Sequence, residues 1–262
     1  MLLSKHKTGT QKVCTLTDGF SFCPMVSANY IHADDLYVYN SWEAMAVNRH
    51  GGNISKIHQV GFARKYHFSR SKGLSKDLQS NVKNYNKIVS VVSSQVSANT
   101  PSVYSPESLR FFLEAICECA RDHYDTAFLV KEKKSEIQRY CSEFIGEVSI
   151  LDNLFFIASD NPKVLEYNQF EDILTISDVT ITYAINSSVI FQSLEKNKPV
   201  LIYNNDFKHS IWRDYTNIEI NHGSLSSTLR YWLTVGEQKD QALKKLMSDL
   251  KIGQDGMQLI LG

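Results

Sequence analysis

Residues 176–204, ISDVTITYAINSSVIFQSLEKNKPVLIYN, leave this chain few folds to choose from. Residues 179–185 are a β-rich apolar run, and residues 200–203 are a second one. Between them Ile190 and Leu194 lie four apart and Phe191 and Leu194 three apart, the spacing of a helical face. Asn186 or Ser187 can cap that helix, which the pattern places over residues 187–196. A strand, a helix and a strand joined this tightly predict a right-handed βαβ unit in a parallel sheet. The polar cluster Asn186-Ser187-Ser188 then falls where a strand ends and a helix begins. Free backbone N–H groups and the helix dipole favour an anion there, typically a phosphate. An ordinary βαβ unit with a polar cap would read the same way.

The rest of the chain repeats the alternation. Residues 88–92 read as a buried strand ending in Ser93-Ser94-Gln95, and residues 126–130 as another ending in Lys131-Glu132-Lys133-Lys134. Ligands collect at such carboxyl ends in open α/β sheets. Ser105-Pro106-Glu107 starts a helix whose buried face is Leu109, Phe112, Leu113, Ile116 and Ala120. Residues 135–144 read as an amphipathic helix, 154–158 as a strand, 170–174 as a short helix, and 224–232 and 237–250 as terminal helices. Nearer the start, residues 12–16, 35–40 and 57–60 read as strands, with Ser41 capping a short helix through Ala46. Residues 62–86 are polar and basic and read either as a solvated linker or as a phosphate-binding surface. The chain thus divides into residues 1–61, the linker 62–86, a second domain over 87–250 and a tail over 251–262.

The central stretch resembles the C-terminal domain of GT-B-type glycosyltransferases, nearest to bacterial surface and capsular polysaccharide enzymes such as Kdo and sialic acid transferases and glycerophosphotransferases. Asp178, Asn186, Ser187, Ser188, Leu194, Lys198, Pro199 and Val200 carry the match. The resemblance implies that the paired serines meet the phosphate or ribose of a nucleotide-activated sugar. Gln192 stands where the family often has glutamate. Lys131 matches a family lysine near the nucleotide, while Lys133 and Lys134 replace the histidine and proline that usually follow. Residues 1–61 match, loosely but in order, the last strands of the first lobe: Asp18-Gly19, then Tyr30 to Val38, then Lys56 to Gly61. The implied fold is a Rossmann-like parallel α/β sheet of GT-B type with a shortened first lobe, docked on the second domain. A dimer or a separate chain would supply the missing wall of the cleft.

Composition narrows the chemistry. With 43% hydrophobic and 21% charged residues the chain is globular, and a formal net charge of zero gives no pull toward nucleic acid. The five cysteines form no CxxC pair, which disfavours disulfides and zinc and fits a reducing cytoplasm. No run is long enough to span a membrane. The histidines lack metal-site spacing, and there is no Walker loop, GxSxG elbow or GxGxxG loop. No metal or cofactor is expected, the nucleotide-sugar being a substrate. A sugar hydroxyl must lose a proton during transfer, and Asp18, in a Thr-Asp-Gly turn, is the candidate catalytic base. Asp-Gly is equally a common turn dipeptide. The donor-binding candidates are Ser93, Ser94, Lys131, Asn186, Ser187, Ser188 and Gln192. The expected activity is transfer of an activated sugar to a glycan acceptor. A non-catalytic GT-B-like binding or assembly module and a sugar-nucleotide 2-epimerase are the alternatives.

Overall fold

A computed structural model describes residues 14–16, 32–38, 44–45, 48, 53–60, 73–93, 96, 104–132, 135–158, 167, 169–183, 187–205, 212, 215, 217–234 and 237–250. The chain divides into two compact units, Met1–Tyr66 with Lys244–Gly262, and His67–Leu243.

The first unit holds a parallel sheet in the order β1 (Cys14–Leu16), β2 (His32–Val38), β3 (Asn53–Gln59). Leu36 and Val38 of β2 are fully buried and pack with Ala44, Ile54 and Ile57. β3 starts four residues before the run that hydropathy marks. Asn53, Ser55 and Lys56 are polar and exposed, so no apolar alternation announces them, yet their backbone completes the ladder opposite His32 to Asp35.

The second unit contains a six-stranded, all-parallel sheet. Its strands are β4 (Lys87–Val92), β5 (Thr126–Lys131), β6 (Leu154–Ile157), β7 (Val179–Thr182), β8 (Val200–Tyr203) and β9 (Glu219–Ile220), in the spatial order β6-β5-β4-β7-β8-β9. The chain steps outward from β4 to β6, then returns to the other side of β4 and continues to β9. The reversal lies between β4 and β7, and this is where a crevice opens outside the carboxyl ends of such a sheet. Val89, Val91, Phe128, Leu129, Val130, Val179, Ile181 and Leu201 are fully buried, as strands covered on both faces require. On one face Phe112 of α2 (Pro106–Asp122) stacks on Tyr183 at 5.1 Å and meets Tyr203 at 5.0 Å. On the other, Leu78 and Val82 of α1 (Lys76–Val82) join Ile173 of α5 (Phe170–Ile176) over Ala127, Leu129 and Ile157.

Three local readings change. The stretch expected to be a linker contains α1, capped by the Ser75 hydroxyl, which accepts from Leu78 N. Its lysines drew attention, but Leu78 and Val82, four apart, are what bury it. The single helix expected over residues 135–144 is two, α3 (Glu136–Tyr140) and α4 (Ser142–Val148). Cys141 leaves helical geometry between them, is 1% exposed, and lets Phe144 reach Phe156 edge-on at 6.4 Å. The strand expected over residues 179–185 is described as far as Thr182, and residues 184–185 lie outside the described residues.

The helix α6 (Ser188–Glu195) between β7 and β8 sits as its sequence suggests. Asn197 follows it in the left-handed region at φ 55°, which asparagine tolerates. Lys198 N then bonds back to Ser193 O, and Pro199 passes its carbonyl to Thr180 N at the start of the β7–β8 ladder. Helices α7 (Leu225–Thr234) and α8 (Glu237–Asp249) follow β9, with a 3-10 turn at His222–Ser224 before α7. Among the described residues no helix is long and apolar enough to cross a membrane, and no group of three His, Cys, Asp or Glu side chains is placed to hold a metal.

Candidate functional site at the carboxyl edge of the six-stranded sheet

Strand alternation decides which side chains share a face at this edge. Val92, the last residue of β4, pairs with Lys131 on one side and with Thr182 on the other. These three residues therefore point to the same face of the sheet. Neighbouring strands lie about 4.8 Å apart, so the Lys131 and Thr182 backbones are roughly 10 Å from each other. Ser93 extends the ladder by one residue, its N–H donating to Lys131 O at 3.3 Å, and it is 3% exposed. Tyr183 N donates to Val92 O and ties the end of β7 to the end of β4.

Thr182 is the unusual member. Two residues earlier on the same strand and face, the Thr180 hydroxyl meets Ser90 Oγ at 2.9 Å. The Thr182 hydroxyl is buried, in a residue 1% exposed, and has no hydrogen-bond partner among the described residues. Leaving a buried hydroxyl unpaired costs about 1–3 kcal/mol. Across the row, burial pushes the Lys131 ammonium below its ordinary value, while the carboxylates of Glu132 and Glu171 work against that shift. A desolvated amine and a buried hydroxyl on one face are groups that an incoming anion would complete.

Five residues beyond Thr182 the chain enters α6. The Ser187 hydroxyl accepts from Val189 N at 3.3 Å, capping the helix, and Ile190 N bonds to Ser187 O. Ser188 is exposed at the first helical position. Gln192, one turn further along, is buried. The described candidates Ser93, Lys131, Ser187 and Ser188 thus all belong to connections leaving the carboxyl ends of β4, β5 and β7, and Gln192 lies on the helix behind them. Asp18, Ser94 and Asn186 lie outside the described residues. Sequence reasoning passed over Thr182 because a threonine inside a β-rich run looks like a strand former. Its position at the last register row was the available signal.

Asp178, which helps carry the sequence resemblance, works at the opposite edge. Its Oδ2 accepts from Ile88 N at 2.9 Å and its Oδ1 from Lys87 Nζ at 3.2 Å. It fastens β7 to the start of β4 and stands away from the carboxyl edge.

No protein-family model matches the sequence, and no curated protein matches it either. Solved structures do match in fold. A protein assigned as a UDP-N-acetylglucosamine 2-epimerase from Listeria monocytogenes aligns with a TM-score of 0.54 at 13% identity, over 86% of this chain and 56% of its own. Anabaena Alr3699/HepE, solved in complex with UDP-glucose, aligns with 0.51 at 12% identity, over 86% of this chain and 61% of its own. An α,α-trehalose 6-phosphate synthase from Burkholderia multivorans gives 0.52 at 11% identity, over 85% of this chain and 55% of its own. The chain therefore spans little more than half the length of these proteins. At such identities the likeness is one of architecture, and it agrees with the parallel, doubly wound sheet: the chain has a Rossmann-like α/β fold of the GT-B type.

Proposed function

We propose that this chain binds a nucleotide-activated sugar at the carboxyl edge of the β4–β5–β7 sheet and takes part in transferring the sugar to a glycan acceptor in surface polysaccharide biosynthesis. The observation that carries the reading is the row Lys131–Val92–Thr182, with its desolvated amine and a buried hydroxyl that has no partner among the described residues, beside the amino end of α6. The diphosphate would accept from the Thr182 hydroxyl, from the Ser188 hydroxyl and from the first-turn N–H groups of α6, with Lys131 neutralising charge. Ser187 holds that helix end in place. Ser93, Ser94, Asn186 and Gln192 complete the proposed donor set, with Asp18 as the proposed base. The fold supports the reading, because one neighbour was solved holding a UDP-sugar.

Isothermal titration with UDP, CDP, GDP and CMP tests it. One nucleotide should bind, and Ser187→Ala with Ser188→Ala should weaken it by at least tenfold, since a hydrogen bond to a charged group is worth about 1.5–3 kcal/mol. Losing the Ser187 cap also costs the fold about 1 kcal/mol, so a melting curve accompanies the titration. Unchanged affinity in a folded double mutant moves the donor elsewhere, and absence of any nucleotide binding ends the reading.

The Listeria neighbour favours 2-epimerisation as a second reading. An epimerase would convert the sugar nucleotide with no acceptor present, whereas a transferase would not. A non-catalytic module would bind the nucleotide and do neither.

A further inference from the structure

The helical layer of the second unit holds a cavity that the donor site does not use. It lies between α2 and α4 and has a volume of about 240 Å³, room for a small organic molecule and more than a single water needs. Helical spacing builds one wall, because Arg110, Glu114, Cys117 and Arg121 recur every three or four residues along α2. The floor is Leu113, Cys117, Cys141 and Phe144, each no more than 4% exposed. Both cysteines are free, and neither thiol has a hydrogen-bond partner among the described residues.

The rim is charged, and its charges do not balance. Arg121 Nη2 donates to Glu147 Oε2 at 2.8 Å, which joins α2 to α4 and closes the groove at the end toward the amino edge. Arg110 Nε lies 3.5 Å from Glu114 Oε1, and His222 Nε2 lies 2.7 Å from Glu118 Oε2. Glu143, exposed in the first turn of α4, has no ion-pair partner among the described residues. Four carboxylates thus stand around the cavity against two guanidinium groups. The thiols register that excess. Burial, then Glu147, pushes Cys117 up to about 11, and burial, then Glu143, pushes Cys141 up to about 11, against the pull of Arg121 and Arg110. Both are therefore protonated at neutral pH, which makes them poor nucleophiles and poor metal ligands. They remain weak hydrogen-bonding groups facing the cavity.

We propose that this cavity binds a small organic cation, a primary ammonium carried on a short apolar body. The ammonium sits between Glu114 on α2 and Glu143 on α4, the two carboxylates whose fields both reach Cys141. Its three N–H donors match those carboxylates and the Cys141 sulfur. The apolar body lies over Leu113 and Phe144. An anion would meet the excess carboxylates, and a neutral molecule would leave them unanswered. Closure at the Arg121–Glu147 end suits a small molecule better than an extended peptide. None of the lining residues belongs to the carboxyl-edge row, so the site stands whether or not the chain binds a nucleotide.

Phenethylammonium is the probe, with 2-phenylethanol as its uncharged counterpart and phenylacetate as its anionic one. Calorimetric titration of the whole chain should show a single phenethylammonium site. 2-Phenylethanol should bind about five- to tenfold more weakly, and phenylacetate should not bind. Added salt should weaken the ammonium, since the rim is exposed. Glu143→Lys puts a cation at the mouth and should abolish binding, with the melting temperature kept because this side chain is exposed. Glu143→Gln removes only the charge and should weaken binding about three- to fivefold. It carries the test where Glu143→Lys fails to fold. A wild-type chain with no phenethylammonium site, or with equal affinity for 2-phenylethanol, overturns the inference. Wild-type affinity in either folded Glu143 variant overturns it as well.

Discussion

The two edges of the six-stranded sheet treat polar groups in opposite ways. At the amino edge they are spoken for. Asn153 is buried, and its side-chain amide donates to Ala120 O, His123 O and Thr126 O at 2.9, 3.0 and 3.0 Å. Asp178 holds Ile88 N and Lys87 Nζ, and Asn86 N reaches Asp125 O. At the carboxyl edge, one threonine hydroxyl is buried with no partner among the described residues, and a lysine is stripped of part of its water. Among the described residues the first edge is finished by folding, and the second is left incomplete at a cost to stability, the pattern expected where a ligand supplies the missing partners.

The sharpest way to break this contrast is at the finished edge. Asn153→Ala removes one side chain and takes a donor from the carbonyls of Ala120 and Thr126, while His123 O keeps its bond from Thr126 N. With unmade buried bonds at about 1–3 kcal/mol each, and some relaxation, the variant should lose about 3 kcal/mol of stability. Nucleotide affinity of the folded fraction should not change. Denaturant titration measures the first and calorimetry the second. A loss below about 1 kcal/mol, or a large affinity change, would erase the distinction between the edges.

The opposite sign is expected at the other edge. Thr182→Val keeps the shape of the side chain and removes the hydroxyl that folding leaves unpaired. The variant should be as stable as wild type or more stable, by about 1 kcal/mol, and it should bind nucleotide more weakly. A mutation that stabilises the chain and impairs its ligand is the signature of a functional group kept at a cost. Destabilisation by Thr182→Val would mean that the hydroxyl serves the fold.

How much of this could be read from the sequence follows the same division. The βαβ unit was legible because its apolar spacing and its serine cap are local signals, and the structure returns β8 at the boundaries read for it, residues 200–203. The parallel sheet was legible because strands and helices alternate. α1 was not, since its two buried residues sit among lysines. Nor was β9, two residues long, which exists because Asn204 N and Ile202 N reach the backbone of the following segment. The part of the site that α6 carries came from a motif. Thr182 came from register, which sets residues of different strands side by side and leaves no trace in spacing.

The smallest expected effect concerns Lys131 and gives the comparison a pH signature. Burial lowers its folded value below the ordinary 10.5, with Glu132 and Glu171 opposing. Between the lowered value and 10.5, the unfolded chain holds a proton that the folded chain has shed. Stability therefore rises with pH across that window and levels off above it. Lys131→Met should flatten that rise, and the difference between wild type and variant isolates it from the cysteines. Cys117, Cys119 and Cys141 are pushed up to about 11, 12 and 11 and drive stability the other way at alkaline pH. A bound diphosphate would favour the charged amine, so nucleotide binding in the same window should take up a proton. Titration in two buffers of different ionisation enthalpy reads that uptake, which Lys131→Met should abolish. A binding heat independent of buffer in the wild type would detach Lys131 from the anion and leave Thr182 and the α6 amino end to carry the carboxyl edge alone.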